Sequence, residues 1–128
     1  NMLRQLFISV LFCALSAVAA AQGSASISSV ELRGNWIYVF DANGKKLSTE
    51  FAANAGKVVG WSASFWISKH GDWYYLWTPA GKKYKTLYAK NIGEIIGVSG
   101  NTFTARQNDW IYTYDKDGKK ISSRYSSR

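Results

Sequence analysis

The chain has 128 residues, a formal net charge of +8, one cysteine and one histidine, which holds it to a single domain and leaves too few thiols and imidazoles for a zinc site or a disulfide framework. Aromatic residues make up 16% of the chain against 19% charged, so a core must come from burial of rings, and the excess of lysine and arginine biases the protein toward acidic partners.

Residues 1–21 read as a secretory signal peptide, with Arg4 in a short basic start, an apolar run from Leu6 to Leu15 and small residues from Val18 to Ala21. Cleavage is expected after Ala21. It would leave Gln22 first, remove Cys13 and Arg4, and bring the charge from +8 to about +7, so the mature chain has no disulfide although its expected address is secreted or periplasmic. The apolar run falls short of the roughly 20 residues that span a bilayer, and no transmembrane segment is expected in the mature chain. A lipid attachment at Cys13 is disfavoured by the bulky Phe12 before it. The remainder, 22–128, is expected to be one all-β repeat domain.

Residues 22–29 are small and polar and form a lead-in, with the first strand expected near Val30. Trp36, Trp73 and Trp110 then stand 37 residues apart. Each opens an aromatic run, Trp36 to Phe40, Trp73 to Trp77 or Trp110 to Tyr114, and each run is followed by a turn that closes on Gly-Lys-Lys. A fixed period of this size marks a repeat architecture. The third copy shows four short segments, Ile95 to Val98, Thr102 to Arg106, Trp110 to Tyr114 and Lys119 to Ser123, separated by Ser, Gly, Asn and Asp. Short β-prone runs punctuated in this way predict three antiparallel meanders. Counting back 37 residues from Val58-Val59 lands on Ala21-Gln22, so the first repeat is expected to lack its opening strand.

The turns have a local cause. Asp41-Ala-Asn-Gly44 and Asp115-Lys-Asp-Gly118 place Asp first and Gly fourth, and Thr78-Pro-Ala-Gly81 places Pro second, as a type I turn prefers. Alternation along the aromatic strand puts Trp36, Tyr38 and Phe40 on one face and Ile37 and Val39 on the other, with both faces apolar in all three copies. This predicts a strand covered on both sides, with Trp36, Trp73 and Trp110 in the core. In the next strand Leu47, Tyr84 and Ile121 are expected to share a face with Phe51, Tyr88 and Tyr125, opposite a lysine-rich face that protects an edge.

A four-stranded meander of this kind resembles one blade of a β-propeller. Trp-x-Tyr followed by Gly-Lys is also similar in part to WG-type repeats and to choline-binding repeats. It departs from the first in having Ile37, Tyr74 and Ile111 after the Trp in place of Gly, and from the second in its much longer period. Three blades are fewer than the about four to eight of a propeller, so two chains pairing as a homodimer could supply six. A β-trefoil, closing three units within one chain, is the alternative.

The chemistry is sparse. His70 lies in a turn with no partner for acid–base work. Asn35, Asp72 and Asp109 precede the repeated Trp and are expected to hydrogen-bond local backbone. Phosphate-loop, calcium-loop and zinc spacings do not occur, so neither enzyme, cofactor nor metal is expected.

Two features could bind. The pairs Lys45-Lys46, Lys82-Lys83 and Lys119-Lys120 recur at equivalent turns, on a rim expected to include Ser62–Ser64 and Ser99–Asn101; they suit an anionic polymer or acidic glycan, although such lysines are also ordinary solvated edge residues. The aromatics could stack on sugars, but alternation favours packing, and Trp61 and Trp66, opposite Val98 and Phe103 in the next copy, stand out as specialised. The expected function is a non-enzymatic binding module for anionic polymers or cell-envelope glycans, with a structural, oligomerising envelope protein as the alternative.

Overall fold

Each repeat folds from a turn whose first side chain caps it. In the computed structural model, which describes residues 25–127, Asp41 Oδ1 accepts the N–H groups of Asn43 and Lys45 at 2.9 Å, Asp115 Oδ1 does the same for Asp117 and Lys119, and Thr78 Oγ1 accepts the N–H of Lys82 at 3.0 Å. Gly44, Gly81 and Gly118 take φ of 80°, 93° and 85°, a region that suits glycine. The pairing register slips immediately after each, as a bulge does. The expected leader and its cleavage site lie outside the described residues.

The strands are β1 (Ser29–Arg33), β2 (Trp36–Phe40) and β3 (Lys46–Phe51); β4 (Lys57–Trp61), β5 (Trp66–His70), β6 (Trp73–Trp77) and β7 (Lys83–Tyr88); and β8 (Glu94–Ser99), β9 (Thr102–Gln107), β10 (Trp110–Asp115) and β11 (Lys120–Tyr125). They form three antiparallel meander sheets of three, four and four strands, and the sheets do not close on one another. The threefold closure of a trefoil is therefore absent. Among the described residues the first sheet has three strands; the place of an opening strand, counted back from Val58 to residues 21–22, lies outside them.

Single helical turns, α1 (Ala52–Ala55) and α2 (Ala89–Ile92), link the sheets. The N–H groups of Ala52, Ala89 and Ser126 donate to the main-chain carbonyls of Asn35, Asp72 and Asp109 at 2.7–2.8 Å. This bond needs no carboxylate, which explains why Asn and Asp interchange at that position; the local backbone hydrogen bonding expected there runs through their main-chain carbonyls. After each helical turn the chain passes under a neighbouring strand: a Cβ on Gly56 would lie 2.2 Å from the Lys69 carbonyl oxygen, and one on Gly93 2.4 Å from that of Arg106. Only glycine fits.

Two apolar layers hold the sheets face to face. Ile37 and Val39 of the first sheet meet Trp66, Tyr75 and Trp77 of the middle one, and Tyr74 and Leu76 on its opposite face meet Phe103, Ala105, Tyr112 and Tyr114 of the last. Trp66 stacks on Trp77 at 4.9 Å, and the Trp77 indole donates to Ser68 Oγ, which donates to the Ala55 carbonyl. Of the three aromatic strands only β6 is covered on both sides. The bulge explains a second departure from the expected pattern: it turns Leu47 and Tyr84 into the layers between sheets, on the opposite face from Phe51 and Tyr88.

The outer faces of the stack carry charged and polar side chains that the layers between sheets lack, beside the rings of Trp36, Tyr38, Phe40 and Phe51 on the first sheet. Toward the last sheet the middle one presents Ile67, Leu76 and Leu87; at the equivalent positions the last sheet turns Thr104, Thr113 and Arg124 outward. Where Ser68 and Ala105 are buried, the first sheet carries Glu31, paired with Arg33 at 2.8 Å, and Arg33 lies over the rings of Tyr38 and Phe40.

Candidate functional site

The repeated tryptophans are not core, which corrects the expectation from alternation. Trp36, Trp73 and Trp110 are 46%, 46% and 43% exposed. Each is the first residue of its strand, after a two-residue turn in which Gly34, Gly71 or Asn108 has φ near +60°, and so lies at a rim where no neighbouring sheet covers it. Each pairs across the strands with the last residue of the next, Phe51, Tyr88 or Tyr125. The ring centroids are 5.2, 5.3 and 5.7 Å apart, the spacing of tilted and edge-on aromatic pairs. Three indoles, each propped from one side by an aromatic neighbour, thus present ring surface at equivalent places. This is the chemistry of a stacking platform for flat apolar faces such as those of pyranose rings.

The same rim carries His70 and Gln107, 37 residues apart, whose side chains bond the carbonyls of Ala53 and Lys90 in the two helical turns. His70 also stacks on Tyr75. Its position is exposed, as expected from the sequence, but it ends β5 rather than lying in the turn that follows, and its contacts are those of a clamp on the linker. Among the described residues no group of three or more His, Cys, Asp or Glu could hold a metal ion.

The lysines lie at the opposite rim, and the pair splits. Lys45, Lys82 and Lys119 are exposed at the turns. Lys46, Lys83 and Lys120 bend back so that Nζ lies 5.7, 4.1 and 4.2 Å from the ring centres of Tyr38, Tyr75 and Tyr112, a cation–π arrangement repeated in every sheet. Lys83 also faces Glu50 of the neighbouring sheet; burial pushes the Glu50 carboxyl above the ordinary range, and the Lys83 charge partly offsets this. Ser62 of the expected serine set donates to the Gly100 carbonyl, joining two turns on the lysine side. Burial, with smaller effects from Asp117 and Asp115, pushes the Tyr84 phenol up to about 12, and its hydroxyl donates to the Lys116 carbonyl.

The two specialised tryptophans part company. Trp66 is fully buried, so its expected role at a binding surface is corrected to packing. Trp61 is 41% exposed and lines a cleft beside β1. Among the described residues no helix is long and apolar enough to cross a membrane. Compared with known proteins, the chain matches no family model, no curated protein and no solved structure.

Proposed function

We infer that the protein is a non-enzymatic binding module for cell-envelope glycans, gripping sugar rings along the rim formed by Trp36, Trp73 and Trp110 with Phe51, Tyr88 and Tyr125. The observation that supports this most is the repetition of a half-exposed tryptophan, propped by a second ring, at a 37-residue period. An exposed indole that nothing covers retains an unfavourable hydration that a sugar face relieves. Lys45, Lys82 and Lys119, with the positive net charge, add attraction for acidic glycans and other anionic polymers. The sheets are read as blades of an unclosed propeller, delivered beyond the cytoplasm by the expected leader.

The test is retention of the purified chain on immobilised chitin, cellulose and peptidoglycan, at low and high salt, beside the triple variant Trp36→Ala, Trp73→Ala, Trp110→Ala. Retention that survives salt and disappears in the folded variant supports stacking. Retention lost in high salt and unchanged in the variant moves the function to the lysines.

A further inference from the structure

A different site follows from the incompleteness of the first sheet. In the middle and last sheets the opening strands β4 and β8 pair with β5 and β9; β1, the equivalent of β5 and β9, has among the described residues a strand on one side only. An edge that no described strand covers is the feature that templates strand addition. Beside that edge is a cleft of about 390 Å³ lined by Val30, Leu32, Ile37, Val58 and Trp61.

The chain contains its own control for this cleft. Between the middle and last sheets an equivalent cleft is lined by Lys69, Tyr74, Glu94 and Ile95, and its further wall is Lys57, Val58 and Val59 of β4. At the first sheet that wall has no counterpart among the described residues, and the chemistry has changed with it. Leu32, 63% exposed, stands where Lys69 stands in the next repeat, and Trp61 stands where Val98 packs against Gly60 of β4. Two large apolar side chains thus replace a lysine and a smaller valine where the described residues provide no covering strand.

We propose that this edge and cleft bind an extended segment of a partner protein, added antiparallel to β1 as the fourth strand of the first sheet. The strands that fill the position elsewhere define what fits: Lys57-Val58-Val59-Gly60-Trp61 and Glu94-Ile95-Ile96-Gly97-Val98, two aliphatic residues followed by Gly. Val59 packs toward the following sheet, so the second aliphatic residue of the guest enters the cleft between Leu32 and Trp61. Lys57 and Glu94, first residues of successive opening strands, line one cleft together. At the first sheet the neighbour is Lys57, so an acidic first residue complements it. Main-chain pairing supplies affinity and the cleft supplies selection, as in other strand-addition complexes. Counted back 37 residues in the sequence, Gln22 stands where β4 and β8 have their second aliphatic residue.

The test uses the full chain and a synthetic peptide of residues 93–100, which carries the acidic, aliphatic, aliphatic, glycine pattern. Expected are saturable binding, slowed hydrogen exchange at the β1 amides, and affinity about tenfold or more lower in the Trp61→Ala chain, as loss of a buried aromatic anchor gives. Leu32→Lys should act in the same direction, and a peptide carrying Ile96→Asp should not bind. Absence of binding, or binding unaffected by both chain variants, overturns the proposal. So does exchange at β1 that is already slow without peptide, because the edge is then covered by residues 20–24 or by a second copy.

Discussion

At one rim three tryptophans keep nearly half their surface in solvent, while at the other three lysines of the same period fold their ammonium groups over tyrosine rings. The difference arises from the bulge. By slipping the register after Gly44, Gly81 and Gly118, it carries Lys46, Lys83 and Lys120 onto the tyrosine-bearing face. The tryptophans sit at the far end of the same strands, beside the inter-sheet connections, with only one ring as neighbour. Repetition alone therefore marks neither rim as functional; the proposed site rests on what folding leaves uncovered.

The largest effect should come from comparing a buried indole with a rim one. Trp66→Ala removes a fully buried ring from its stack on Trp77 and should cost about 3–5 kcal/mol in urea unfolding. Trp73→Ala, which loses one half-exposed aromatic pair, should cost about 1 kcal/mol. Equal losses would return the rim tryptophans to the core.

Next is the alkaline limb of stability at the lysine side. The Tyr84 phenol is raised to about 12 from an ordinary value of 10, so folding favours its neutral form. Its contribution is intact below pH 10 and declines as pH rises from 10 through about 12. Tyr84→Phe should flatten that decline in a pH series of thermal melts; an unchanged slope would place the alkaline loss elsewhere.

Smaller still are the lysines. Lys83→Gln and Lys120→Gln should each cost about 0.5–1 kcal/mol through loss of the contact with tyrosine, whereas Lys45→Gln, Lys82→Gln and Lys119→Gln should stay within about 0.5 kcal/mol. If the outer lysines engage an anionic polymer, the log–log salt slope measured on duplex DNA should shrink by about 0.9 for each one removed. A slope that responds instead to Lys83 and Lys120 would invert the assignment within the pairs.

The period, the meander order and the turn chemistry were legible because each rests on local signals: Asp or Thr first and Gly fourth in the turn, and a fixed spacing of Trp. Alternation also identified which side chains share a face of β2, β6 and β10. It could not show which end of a strand lies at a rim, and so Trp36, Trp73 and Trp110 were read as core. Nor could it foresee that a one-residue bulge separates Leu47 from Phe51. A hint was present in the last copy, where Thr113 replaces the Leu76 of the middle one: that strand face has no sheet beyond it. Trp61 and Trp66 were singled out together for lacking a tryptophan in the next copy, yet one lies in an open cleft and the other in a stack, because neighbouring sheets cover only the second.

The most direct measurement follows the indole N–H resonances of all six tryptophans by two-dimensional NMR as a soluble chito-oligosaccharide, built from the amino sugar common in envelope glycans, is added. The account predicts shifts at Trp36, Trp73 and Trp110, little movement at the buried Trp66 and Trp77, and insensitivity to salt. Shifts at the buried pair, or rim indoles unmoved by this glycan and by muropeptides alike, would contradict it.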